Sequence, residues 1–137
     1  MDINLWGVLL ATVAMFAVGA FWYSVPFAKA WGRIHGFDKL SKEEQRAAMS
    51  KMGPLYALQA LVTLISAWVL AYFIVTVADT SPYLIAFLVW LGFIVPANVS
   101  AVLFGSTPSK FMVSKTAIML GGSLLCILAG AFVLSFF

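Results

Sequence analysis

The chain has 137 residues, of which 64% are hydrophobic and only 9% charged, and it carries a formal net charge of +3. A soluble domain averages roughly a quarter charged residues, so this composition excludes an ordinary water-soluble fold and marks an integral membrane protein. The positive balance does not point to nucleic acid. No recognition motif accompanies it, and the basic residues group where membrane topology uses them.

Four long apolar stretches divide the sequence, at about 3–24, 55–78, 83–105 and 113–136. Each is long enough to cross a hydrocarbon core of ~30 Å, which takes about 20 apolar residues in a helix. Only helices and closed barrels satisfy every backbone group in lipid, and continuous apolar runs without strict alternation exclude the barrel. The fold class is therefore all-α: one domain over 1–137, an integral bundle of four transmembrane helices with short interfacial helices in the first connector, 25–54.

The first stretch opens Met1-Asp2-Ile3-Asn4, without the basic region of a cleaved signal, and reads as a retained helix. Trp6 anchors one end and the cluster Phe21-Trp22-Tyr23 the other, as amphipathic rings do at a membrane interface. Val25-Pro26 then ends it, because proline has no amide donor and disfavours a helical residue before it.

The first connector begins with Phe27, Trp31 and Ile34 on one helical face, flanked by Lys29 and Arg33. Such a segment lies flat at the interface with its apolar side down. Gly36 stops it. Ser41 and Glu44 then form a capping-box pattern for a second short helix, which ends at Gly53-Pro54. The second and third spans are joined by the short turn Asp79-Thr80-Ser81-Pro82 and should pack as antiparallel neighbours. Asp79 or Ser81 can cap the third span, with Pro82 in its first turn.

All eight Lys and Arg residues fall in or beside two connectors. Lys29, Arg33, Lys39, Lys42, Arg46 and Lys51 occupy the first; Lys110 and Lys115 belong to the third. These connectors share one side of the membrane, and their basic excess identifies that side as the cytoplasm of an inner-membrane protein with both termini outside. The lipid bilayer is the first partner this implies, with anionic headgroups meeting the basic loops.

No Asp, Glu, Arg or His lies in the central part of any span. A haem held by two histidines from one chain is excluded, and proton-coupled export finds no intramembrane carboxylate. The lone Cys126 permits no intramolecular disulfide and no thiolate metal cluster. No metal and no cofactor are expected.

Some polar residues could nonetheless form a site. Tyr56, Gln59, Thr63 and Ser66 share one face of the second span, as a polar path or as interhelical hydrogen-bonding groups. In the third span, Pro96 leaves the Gly92 carbonyl without its usual amide partner and opens a kink, with Asn98 and Ser100 just beyond. Lys115 sits about one turn inside the fourth span, where it can anchor topology or contact a substrate or lipid headgroup. Gly122, Cys126 and Gly130 in the fourth span, and Ala97, Ala101 and Gly105 in the third, form small-residue faces that permit close helix approach within or between chains.

The string Trp22-Tyr23-Ser24-Val25-Pro26-Phe27-Ala28-Lys29-Ala30-Trp31 and the block Leu91-Gly92-Phe93-Ile94-Val95-Pro96, followed by Val102-Leu103-Phe104-Gly105, resemble a family of small bacterial four-helix membrane proteins known as domain of unknown function 1761. The likeness spans nearly the whole chain. Two positions depart from it: Val25 separates Trp-Tyr-Ser from the proline, and the third connector reads Ser109-Lys110 where the family often has Trp-Lys. The resemblance implies the four-helix topology and an inner-membrane location, and no reaction.

Three functional readings follow. The first is a structural or accessory membrane protein, acting as a homo-oligomer or with a membrane-protein partner, and not an enzyme. The alternative is a small channel or transporter with a path near Pro96 and Asn98. The last is a lipid-modifying enzyme using His35 and the basic loop, which no nucleophile–base spacing supports.

Overall fold

The computed structural model describes residues 2–137. It is helical throughout, with no strand among the described residues. Helix α1 covers Leu5–Ser24, and Asn4 caps it by accepting the Gly7 amide on its side-chain oxygen at 3.1 Å. Such a cap satisfies one of the amide donors that a helix start leaves unpaired. The first connector folds into α2 (Ala28–Ile34), a 3-10 turn (Phe37–Lys39) and α3 (Lys42–Ser50). Gly36 separates α2 from the turn with a φ of 73°, a left-handed conformation natural to glycine. Of the capping box, the Glu44 amide donates to the Ser41 hydroxyl at 3.2 Å. The carboxamide of Gln45 donates to the Phe37 carbonyl, which fastens α3 to the preceding turn.

The second span is α4 (Gly53–Thr76). It starts two residues before the apolar run because Pro54 sits in the first turn, where its missing amide costs nothing. Pro82 does the same for α5 (Pro82–Val89); Ser81 holds the N-cap position there, but its hydroxyl makes no capping bond. The third span then passes through a π turn at Trp90–Ile94 into α6 (Val95–Leu103). A 3-10 turn (Ser109–Phe111) leads into α7 (Met112–Leu134). These four spans are all long and apolar enough to cross a membrane.

The π turn is the physical form of the kink foreseen at Pro96. An ordinary helix would drive the proline ring against the Gly92 carbonyl, four residues back. The helix instead widens by one residue, and the Val95 amide donates to the Trp90 carbonyl, five back.

Helix α7 is the hub, packed along α1 on one side and against α5, the π turn and α6 on the other; α4 lies against α1 and α5. The α1–α7 seam is antiparallel, with small residues facing large ones. Met15 fills the space over Gly130, Trp22 covers Gly121 and Gly122, Cys126 lies against Gly19, and Phe137 lies on Gly7. A Cβ added to Gly122 would fall 2.7 Å from Trp22 Cδ1, so only glycine admits the indole there. The small-residue face of the fourth span is thus occupied by the first span of the same chain. At the centre, Ala11, Ala67, Ala86 and Ala131 are all 0% exposed. In lipid, close van der Waals packing of this kind holds helices together, because tails are as apolar as the side chains.

Candidate functional site

The polar residues of α4 are satisfied locally. Thr63 is buried, and its hydroxyl donates to the Gln59 carbonyl at 2.7 Å while accepting the Gln59 carboxamide at 3.3 Å. Ser66 donates to the Val62 carbonyl at 3.0 Å. Gln59, Ser66 and Tyr56 lie on the outer surface of the bundle, so of this face only Thr63 points into it. Hydroxyls bonded back to the preceding turn need no second helix.

In α6, Pro96 and Ser100 also face outward, whereas Asn98 is half-buried. The Asn98 carboxamide makes no hydrogen bond to any described residue. The antiparallel register that joins Trp90 to Leu120 and Ser123 puts Asn98, two turns on, level with the start of α7. Helix α4 packs on α1 and α5 and does not run along α6, so Gln59, Thr63 and Ser66 are not gathered with Pro96, Asn98 and Ser100. A groove of about 420 Å³ between α1 and α4 is lined by Leu5, Val8, Leu9, Leu64, Ile65 and Trp68, all apolar.

The residues that do converge lie at the basic end of the bundle. Helix α2 folds back beneath α1 and touches α7. Ile34 is buried, Phe27 and Trp31 are half-buried, and Lys29 and Arg33 are exposed, as the stripe in the sequence predicts. The Trp31 ring lies between Tyr23, 4.7 Å away in an edge contact, and His35, 4.4 Å away. Trp22 stacks obliquely on Phe27 at 4.5 Å. Lys29 and Arg33 flank a shallow groove of about 390 Å³ with Gly32, Phe37 and Asp38.

Against this aromatic group sits Lys115. Its ammonium donates to the Thr107 hydroxyl at 3.2 Å and lies 5.8 Å from the centre of the Trp31 ring, within reach of a cation–π attraction. Trp31 and Lys115 both stood out in the sequence, but separately. Thr107 did not, because nothing in a short irregular connector announces which way it turns.

Two tryptophans also matter structurally; Trp22 stood out in the sequence as an interfacial anchor, whereas Trp90 carried no signal. The Trp90 indole donates to the Leu120 carbonyl at 3.2 Å and to the Ser123 hydroxyl at 3.0 Å, pinning the π turn to α7. Trp22 similarly donates to the Ile118 carbonyl at 2.9 Å. No cluster of His, Cys, Asp and Glu able to hold a metal ion occurs among the described residues.

A family model described as "Protein of unknown function (DUF1761)" matches residues 6–135. No curated protein and no solved structure matches.

Proposed function

Because the chain belongs to this family, whose description brings no reaction with it, we propose its role from its own geometry: a non-catalytic accessory protein of the inner membrane, working as a homo-oligomer or as a subunit of a larger membrane assembly. The observation that carries this reading is the different fate of the two small-residue faces. That of α7 is filled by α1 within the chain, whereas Ala97 and Ala101 of α6 lie on the outer surface; Gly105, expected on the same face, falls past the helix end and is also exposed. An outward small-residue face allows a helix from another chain to approach closely. The local satisfaction of Thr63 and Ser66 also favours a packing role over a polar conduit.

In this reading the basic connectors face the cytoplasm and both termini lie outside, since all eight Lys and Arg fall at one end of the bundle. The protein needs no nucleic acid; its partners are lipid and membrane helices. Native mass spectrometry of protein released gently from its own membrane should show a homo-oligomer or a stoichiometric second protein. Ala101→Leu should dissociate it without lowering the melting temperature, because the side chain points away from the monomer core. A bare monomer, or an assembly indifferent to that substitution, would end this reading. A reporter fused after Phe137 should be active only outside the cytoplasm; cytoplasmic activity would reverse the orientation.

One observation favours the channel or transporter reading. The π turn stands next to a half-buried Asn98 without a partner, and π turns recur at functional sites. On that reading, Asn98→Leu abolishes solute flux in proteoliposomes and leaves folding intact. Unchanged flux in the variant, or none in the parent protein, removes it.

A further inference from the structure

We propose that Lys115, Thr107 and Trp31 form a binding site for a phosphate group, presented by a phospholipid headgroup at the basic end of the bundle. The site is defined by what its members can and cannot offer. Lys115 is half-buried, and among the described residues it has one polar partner, the Thr107 hydroxyl, and no carboxylate. An ammonium has three donors, so two are unspent. The Thr107 oxygen accepts from Lys115, which leaves its own proton to donate outward.

Trp31 supplies the independent observation. Three tryptophans are half-buried: Trp22, Trp31 and Trp90. Trp22 and Trp90 donate their indole N–H to carbonyls of α7, but the Trp31 N–H has no acceptor among the described residues. No side-chain polar atom is both buried and unpartnered among the described residues, so this N–H is open at the surface and can donate to a group outside the chain.

The place where α2, the third connector and α7 meet therefore collects several unspent donors, one of them charged, and no carboxylate partner. Its complement is an anion with several acceptor oxygens. Removing a cation from water without a counter-charge is costly, and a neutral hydroxyl offsets little of that cost. Lysine serves as a point-charge phosphate ligand. The depth fits the source: Tyr23 and Trp31 are rings of headgroup level, and lipid phosphate is the abundant anion there. Lys29 and Arg33, exposed on the same short helix, extend the positive potential toward the surface.

The test uses the full chain in maltoside micelles, with phosphatidylglycerol titrated in and bound lipid counted by native mass spectrometry. Phosphate-free diacylglycerol and inorganic phosphate are the comparison ligands. Lys115→Gln should weaken phosphatidylglycerol roughly fivefold to tenfold, in line with the loss of one charge-assisted contact near a headgroup. Lys115→Arg should retain it, and Trp31→Phe, which keeps the ring but not the N–H, should weaken it less. Lys39→Gln, in the exposed loop, should change nothing.

Should Lys115→Gln fail to fold, Trp31→Phe decides the matter, and full affinity in that variant alone would then overturn the proposal. Displacement of the lipid by inorganic phosphate would support the anion chemistry and move the source to a soluble phosphate; failure to displace it would support the headgroup. Equal binding of diacylglycerol, or full affinity in both Lys115→Gln and Trp31→Phe, would overturn the proposal.

Discussion

Trp22→Ala is expected to destabilise the bundle by about 3 kcal/mol, near the lower end of large-to-small aromatic losses. The lower end applies because a membrane helix released from its neighbours meets lipid rather than water, so the loss is packing more than hydrophobic transfer. The indole covers Gly121 and Gly122 and donates to the Ile118 carbonyl, so its removal opens a hole in the α1–α7 seam and cuts a bond between helices. The glycines make the effect separable. In the parent protein Gly122→Val should itself cost about 2 kcal/mol, since its Cβ collides with a rigid ring. With Ala at 22 the same substitution should become stabilising by about 1 kcal/mol, because the new side chain fills the vacated space. Reversible unfolding in mixed micelles, followed by circular dichroism, gives all four corners of the cycle. Additive costs would mean that Trp22 and Gly122 are not in contact.

Ala131→Leu should cost about 2–3 kcal/mol by the opposite mechanism, overpacking. Ala131 is completely enclosed within the cluster that includes Ala11, Ala67 and Ala86. Three extra carbons cannot be taken up there without separating helices. Phe93→Ala removes far more volume from a side chain that is 72% exposed on the third span, yet it should change the melting free energy by less than about 0.5 kcal/mol. The pair ranks burial above the size of the change. If Phe93→Ala proved the more damaging, the outer face of the third span at the π turn would be part of a permanent interface.

The four spans were legible because a hydrocarbon slab imposes a length and polarity that few sequences meet by accident. Helix starts moved by one or two residues where prolines entered first turns, as at Pro54 and Pro82. Pro96 announced a distortion, and steric reasoning located it, but the choice between an open kink and a π turn depends on Trp90 finding Leu120 and Ser123 on α7. That choice is tertiary. The face of Gln59, Thr63 and Ser66 was read correctly as helical spacing, but spacing cannot say where the neighbouring helix will lie. Once α4 settles on α1 and α5, only Thr63 is enclosed, and its hydroxyl is used by its own backbone. The group at Lys115 shows the same limit. Trp31 looked like an anchor and Lys115 like a snorkelling cation, and only the folding of α2 onto α7 makes them neighbours.

The seam between α1 and α7 also bears on how the protein is made. It joins residues as far apart as Trp22 and Ile118, 96 positions along the chain. During synthesis the first span enters the bilayer long before its main partner has been translated. Its face of Gly7, Met15 and Gly19, with the Trp22 indole, must wait in lipid, or against the insertion machinery, until the last span arrives. Assembly is therefore closed from the carboxyl-terminal side. The interval in which the first span lacks this partner is set by translation speed, and it is the period when other helices can compete for that face.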